Sequence, residues 1–152
     1  MTAREPMPMQ VAFHFNVADK ASYLCRLLRK AVHAGSRVIV TGPPWQLEDL
    51  DRRLWTFAPQ EFVAHCGSDA LPGMLQVTPV VLAGSLDDPA LNDLPRQVLL
   101  NLGAEVPDGF ERFERLIEVV SQDDEDRLAA RQRWRRYAEG GFAMTRHDAA
   151  SA

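Results

Sequence analysis

Residues 11–41 read VAFHFNVADKASYLCRLLRKAVHAGSRVIVT, and the fold class follows from this stretch. Val11 to Val17 alternates well enough to form a strand. Asp19 stands where a helix N-cap belongs, and Tyr23, Leu24, Leu27, Leu28, Ala31 and Val32 recur at three-and-four spacing until Gly35. Ser36 to Thr41 is a β-branched run that enters the loop Gly42-Pro43-Pro44, as a buried strand does. Strand, helix and strand of these lengths make a βαβ unit, so a mostly parallel sheet is expected.

Outward from this unit, Trp45, Leu47, Leu50 and Leu54 mark a second helix that stops before Phe57-Ala58-Pro59. Trp55 to Pro79 shows no clear period and reads as one long connection. Val80–Ala83 and Gln97–Leu102 read as strands. Pro107-Asp108-Gly109 is expected to open a helix carrying Phe110, Phe113, Leu116 and Ile117, and Glu118–Ser121 to form a last buried strand. A final helix should run from the acids Asp123, Asp124, Glu125 and Asp126 to Tyr137, with Phe142–Thr145 adding an edge strand. The expectation is a single α/β domain over residues 11–147, with a flexible leader at 1–10 and a frayed tail at 148–152.

The chain has 152 residues, 17 basic and 21 acidic, for a net charge of −4. That balance argues against a generic duplex-DNA binder, which needs a strong positive field, but leaves room for a local basic patch. Cys25 and Cys66 are too few for a disulfide framework and read as reduced thiols. There is no secretory signal and no run of about 20 apolar residues, so a cytoplasmic protein without membrane attachment is expected. Lys20 and Lys30 are the only lysines, which leaves few candidates for lysine chemistry.

Catalytic signals are missing. Thr41-Gly42-Pro43-Pro44-Trp45 lacks the second glycine, lysine and hydroxyl of a phosphate loop, and Phe15-Asn16-Val17-Ala18-Asp19 has no glycine at all. The expected topology is thus nucleotide-binding-like without a functional phosphate loop, and no cofactor is expected. His65 and Cys66 are neighbours, whose side chains normally point apart, and no second pair stands at metal-ligand spacing. His14 reads as a satisfied strand histidine, and His33 and His147 as surface residues. The four acids at 123–126 would spread around a helix, so capping and dipole compensation are their expected roles.

Two features carry recognition chemistry. Arg131-Gln132-Arg133-Trp134-Arg135-Arg136-Tyr137 sets aromatics among arginines, with Arg131, Trp134 and Arg135 at i, i+3 and i+4. Such a face suits an acidic peptide or single-stranded nucleic acid; the alternative is a solvated arginine face with Trp134 docked into the core. Trp55-Thr56-Phe57-Ala58-Pro59-Gln60-Glu61-Phe62 carries three aromatics in a surface connection. Either it folds back over the sheet or it anchors a partner.

Taken in order, Leu54-Trp55-Thr56-Phe57 with Pro59, Phe62-Val63 and His65, then Val98–Leu102, then Arg131–Tyr137 with Gly141-Phe142, resemble the bacterial DNA polymerase III chi subunit family from about Val11 to His147. The resemblance implies a non-catalytic subunit attached to the clamp loader. It also implies binding to the acidic C-terminal tail of single-stranded DNA-binding protein, which ends in phenylalanine, and, through another surface, to the psi subunit. By position the tail-binding residues fall on Val120, Arg131, Trp134 and Arg135; the family can carry tyrosine and lysine where this chain has Trp134 and Arg135. The psi-facing surface falls on Phe62, with Trp55 nearby, and in some members a repair helicase shares it. Contact with DNA would then be indirect. From another class altogether, the alternative is a small nucleotide-using enzyme with an unusual phosphate loop.

Overall fold

In the computed structural model, which describes residues 9–56 and 62–151, seven strands form one sheet in the order β3-β4-β2-β5-β6-β1-β7. They are β1 (Gln10–Val17), β2 (Val38–Thr41), β3 (His65–Gly67), β4 (Val80–Ala83), β5 (Val98–Asn101), β6 (Arg115–Ser121) and β7 (Ala143–Asp148). Every pairing is parallel. The helices are α1 (Lys20–His33), α2 (Pro44–Thr56), α3 (Pro72–Val77) and α4 (Asp124–Glu139).

The β1-α1-β2 unit forms as its patterns require. The Asp19 side chain accepts from the Ser22 amide at 3.2 Å, which caps α1. Gly35, at φ +79°, then turns the chain toward β2 in a backbone conformation that costs glycine little. The four residues of each of β2, β4 and β5 are all buried, because helices or packed turns cover both faces of a parallel sheet. Leu24, Leu28, Leu50 and Leu54 of α1 and α2 pack with Val40, Leu82, Leu100 and Val119 on one face. Leu75 of α3 and Ala130 and Tyr137 of α4 pack with Val11, Phe13, Leu99 and Leu116 on the other.

Two expectations need correction. The stretch Phe110–Ile117 is not a helix: a single 3-10 turn spans Phe110–Arg112, and β6 starts at Arg115. Leu116 and Ile117 sit side by side because a strand buried on both faces sends them to opposite cores. The long connection after α2 contains the edge strand β3 and the short helix α3, which Pro72 opens. Of the leader expected at 1–10, residues 1–8 lie outside the described residues; Met9 is buried and Gln10 opens β1. Asp148 closes β7: its carboxylate accepts from the Asn16 side chain at 3.2 Å and from the Ala150 amide at 2.9 Å, and a 3-10 turn follows at Ala149–Ser151. The middle of the aromatic stretch, 57–61, also lies outside the described residues.

Gly42 has a packing role. A Cβ there would stand 2.8 Å from Leu102 Cβ, so the loop after β2 can lie against the end of β5 only with glycine.

Candidate functional site

The placement of α4 governs the basic face. Asp123 and the next three acids begin the helix, and Asp126 turns inward to accept from the Ser121 amide at 2.8 Å and from Lys20 Nζ at 3.1 Å. Partial burial pushes the Asp126 carboxyl up, but the Ser121 hydrogen bond and the Lys20 charge outweigh it and hold the group below its ordinary value. This acid clamps the helix start to β6 and to α1.

Two turns further along, Arg133 leaves the solvated face where sequence reasoning put it. It is buried, with Nε 3.0 Å from Oε1 of the buried Glu118, close enough for an ion pair though not aligned as a hydrogen bond, and it donates to the Ala104 carbonyl at 3.0 Å. Tyr137 and Asn101 donate to Glu118 Oε2 at 2.7 and 3.0 Å. Burial raises the Glu118 carboxyl, while Arg133 and the two donors oppose that shift. Four polar side chains from β5, β6 and α4 thus fix the rotation of α4 on the sheet.

That rotation sends Arg127, Arg131 and Trp134, at i, i+4 and i+7, to one side, over the end of β1. With Phe13, Phe15, Val120 and Arg146 they line a cavity of about 380 Å³. Trp134 is half-buried and meets Phe13 edge-to-face, centroids 5.1 Å apart at 71°. Such pairs contribute about 0.5–1.5 kcal/mol beyond area burial, so the indole is held in place. Arg146 crosses from β7, its guanidinium 5.0 Å from the Phe15 ring centre and 5.8 Å from that of Trp134. The floor is aromatic and aliphatic, three guanidinium groups stand around it, and no carboxylate lines it. A planar ring with an attached carboxylate has the complementary chemistry.

The structure brings Val120, Arg131 and Trp134 together and separates Arg135 from them. Arg135 lines a different, polar depression with Glu105, Gln132 and Arg136. Sequence reasoning missed Arg127 and Arg146. The i, i+4, i+7 relation of Arg127 to Trp134 was available from α4 alone, whereas Arg146 joins through the β1–β7 pairing, which no local pattern reveals.

At the other edge of the sheet, Trp55 lies in the last turn of α2 and Phe62 precedes β3. They are 58% and 56% exposed, yet their ring centroids lie 5.0 Å apart. His65 lies beneath them, 4.9 Å from Trp55, its Nδ1 2.7 Å from the Val63 carbonyl. Of the aromatic stretch, then, the two described rings remain at the surface as a pair on a buried histidine. Cys66 packs against the opposite core, so His65 and Cys66 do point apart. Among the described residues no group of histidine, cysteine, aspartate and glutamate could hold a metal ion, and no helix is long and apolar enough to cross a membrane.

Comparison with known proteins adds a family assignment. The family model described as DNA polymerase III chi subunit, HolC, matches residues 7–145. A protein of Pseudomonas aeruginosa named DNA polymerase III subunit chi is 34% identical over 124 residues, covering 81% of this chain and 82% of the relative. Its namesake from Haemophilus influenzae is 29% identical over 122 residues, covering 80% and 81%.

Proposed function

The chain belongs to the DNA polymerase III chi subunit family, whose members are accessory and non-catalytic, and we propose that it tethers the polymerase to single-stranded DNA-binding protein by holding that protein's acidic C-terminal tail in the Trp134 pocket. The observation that carries this reading is the pairing of an aromatic floor (Phe13, Phe15, Trp134) with a cationic rim (Arg127, Arg131, Arg146) in one cavity of about 380 Å³. The terminal phenylalanine ring enters beside Trp134 above Val120. Arg131 and Arg127 take its carboxylate and the aspartates before it, and Arg146 closes the β7 side. Arg135, which the family resemblance suggested for this role, stands outside the lining and contributes charge at longer range.

The exposed Trp55–Phe62 pair is the second partner surface in this reading, and the psi subunit its occupant. Large aromatics desolvated at the centre of an interface commonly supply about 2 kcal/mol or more each. The protein then bridges two partners from opposite edges of its sheet and works in the cytoplasm at the clamp-loader assembly. Isothermal titration with a synthetic tail peptide, and copurification with psi, test the two halves separately.

A further inference from the structure

The sheet face opposite the Trp134 pocket carries a second depression. On that face α1 packs over β6, and between α1 and the adjoining β1–β7 edge runs a trough of about 480 Å³. Where a core strand would present apolar residues, β1 and β7 present His14 and His147, with ring centroids 5.0 Å apart. Helix α1 contributes Tyr23, whose hydroxyl hydrogen-bonds His14 Nδ1, together with Arg26 and Lys30, and the start of β6 contributes Arg115.

This lining is unusual for a chain of net charge −4. It holds several cations and no carboxylate, and Arg26, Lys30 and Arg115 form no ion pair among the described residues. Burial, and after it the charges of His147, Arg115 and Lys30, lower the His14 pKa to about 4, so this imidazole adds no charge of its own at neutral pH. An uncompensated positive trough costs self-repulsion, and an anion relieves it. The shape of the site narrows the choice of anion. The cations are spread along the trough, rings stand among them, and there is no apolar socket of the kind Trp134 provides for a peptide side chain. Backbone-tracking charge interleaved with ring faces is the arrangement that suits single-stranded nucleic acid.

We propose that this trough binds the phosphate backbone of single-stranded nucleic acid, with Arg26, Lys30 and Arg115 on successive phosphates, Tyr23 holding Arg26 over its ring and the exposed His147 offering a ring face to a base. Nothing in this depends on the tail pocket, which lies on the other face of the sheet. Arg146 borders both depressions and is left intact in the test for that reason.

Fluorescence anisotropy with a labelled oligodeoxythymidylate reads the site. Three phosphate contacts give a slope of log K against log salt of about −2, at about −0.7 per contact on single strands. Lys30→Ala and Arg115→Ala should each lower the steepness by about 0.7, and Lys30→Glu with Arg115→Glu should weaken binding at least about tenfold. Both side chains are exposed, so circular dichroism should match wild type, and affinity for the tail peptide should be unchanged. Arg52→Ala, which removes the same charge from α2, should leave the slope as it is. Absence of strand binding at low salt overturns the proposal. So does an equal loss from Arg52→Ala, or equally tight binding of a polyglutamate peptide of the same charge, which would reveal a general acidic-polymer site.

Discussion

Arg133 meets Glu118 across the α4–β6 interface, Nε to Oε1 at 3.0 Å, with both side chains buried. The pair lies one residue before Trp134 and ties the rotation of α4 to the sheet through Tyr137 and Asn101 as well. Removing one partner of a buried pair typically costs about 3–5 kcal/mol, because the other charge is left unpaired. Arg133→Ala should therefore lose several kcal/mol in chemical denaturation, and Arg133→Met with Glu118→Leu should recover most of it.

The same variant carries a pH signature. Burial already raises the Glu118 carboxyl, and Arg133 is its largest opposing influence, so Arg133→Ala raises it further. The native state then holds a proton that the unfolded chain has released, so stability falls as pH rises. Arg133→Ala should be least deficient at mildly acidic pH and most deficient at neutral pH. A deficit that does not change with pH would contradict a buried carboxylate as its source.

His14 gives the opposite dependence. Its pKa drops from 6.5 to about 4, through burial first and then the charges of His147, Arg115 and Lys30 around it; Tyr23 holds its ring from α1. The unfolded chain takes up the proton first, so the stability from this site is complete above about pH 6.5 and lost as pH falls toward 4. Melting temperatures at pH 7 and pH 5 should differ less for His14→Gln than for wild type. An equal difference would mean that the imidazole titrates alike in the folded and unfolded chains.

Phe62→Ala should abolish copurification with psi while circular dichroism and melting temperature stay near wild type, since the ring is 56% exposed. The expected loss of affinity is at least about 2 kcal/mol. Trp55→Ala should behave likewise. Unfolding of Phe62→Ala would show that the ring is needed to cover His65 and is not held ready for a partner.

Legibility in the sequence followed the periodicity. The β1-α1-β2 unit showed two clean periods and a capping aspartate, and it formed as read. Phe110, Phe113, Leu116 and Ile117 matched helical spacing by coincidence, since a strand buried on both faces has no alternation to set against it. Glu118 and Arg133 were illegible for a related reason. Arg133 alone reads as a solvated charge and Glu118 only as the start of a buried strand, and it is their 15-residue separation folded across a helix and a strand that makes them mutual partners. Trp134 and Arg131 were found from residue type and spacing. Arg146 could not be, because its place in the pocket depends on β7 lying parallel beside β1.

Isothermal titration of the acidic tail peptide into the wild-type chain and four single variants tests the Trp134 pocket most directly. Arg131→Ala, Arg127→Ala and Trp134→Ala should each weaken binding about tenfold or more, in line with charge-assisted bonds of about 1.5–3 kcal/mol and a desolvated aromatic wall. Arg135→Ala, outside the lining, should cost clearly less, and deleting the peptide's final phenylalanine should abolish binding. Affinity should also fall steeply as salt shortens the Debye length from about 10 Å at 0.1 M to about 3 Å at 1 M. Equal losses for Arg127, Arg131 and Arg135, with the truncated peptide still bound, would contradict a pocket and leave only a diffuse basic face.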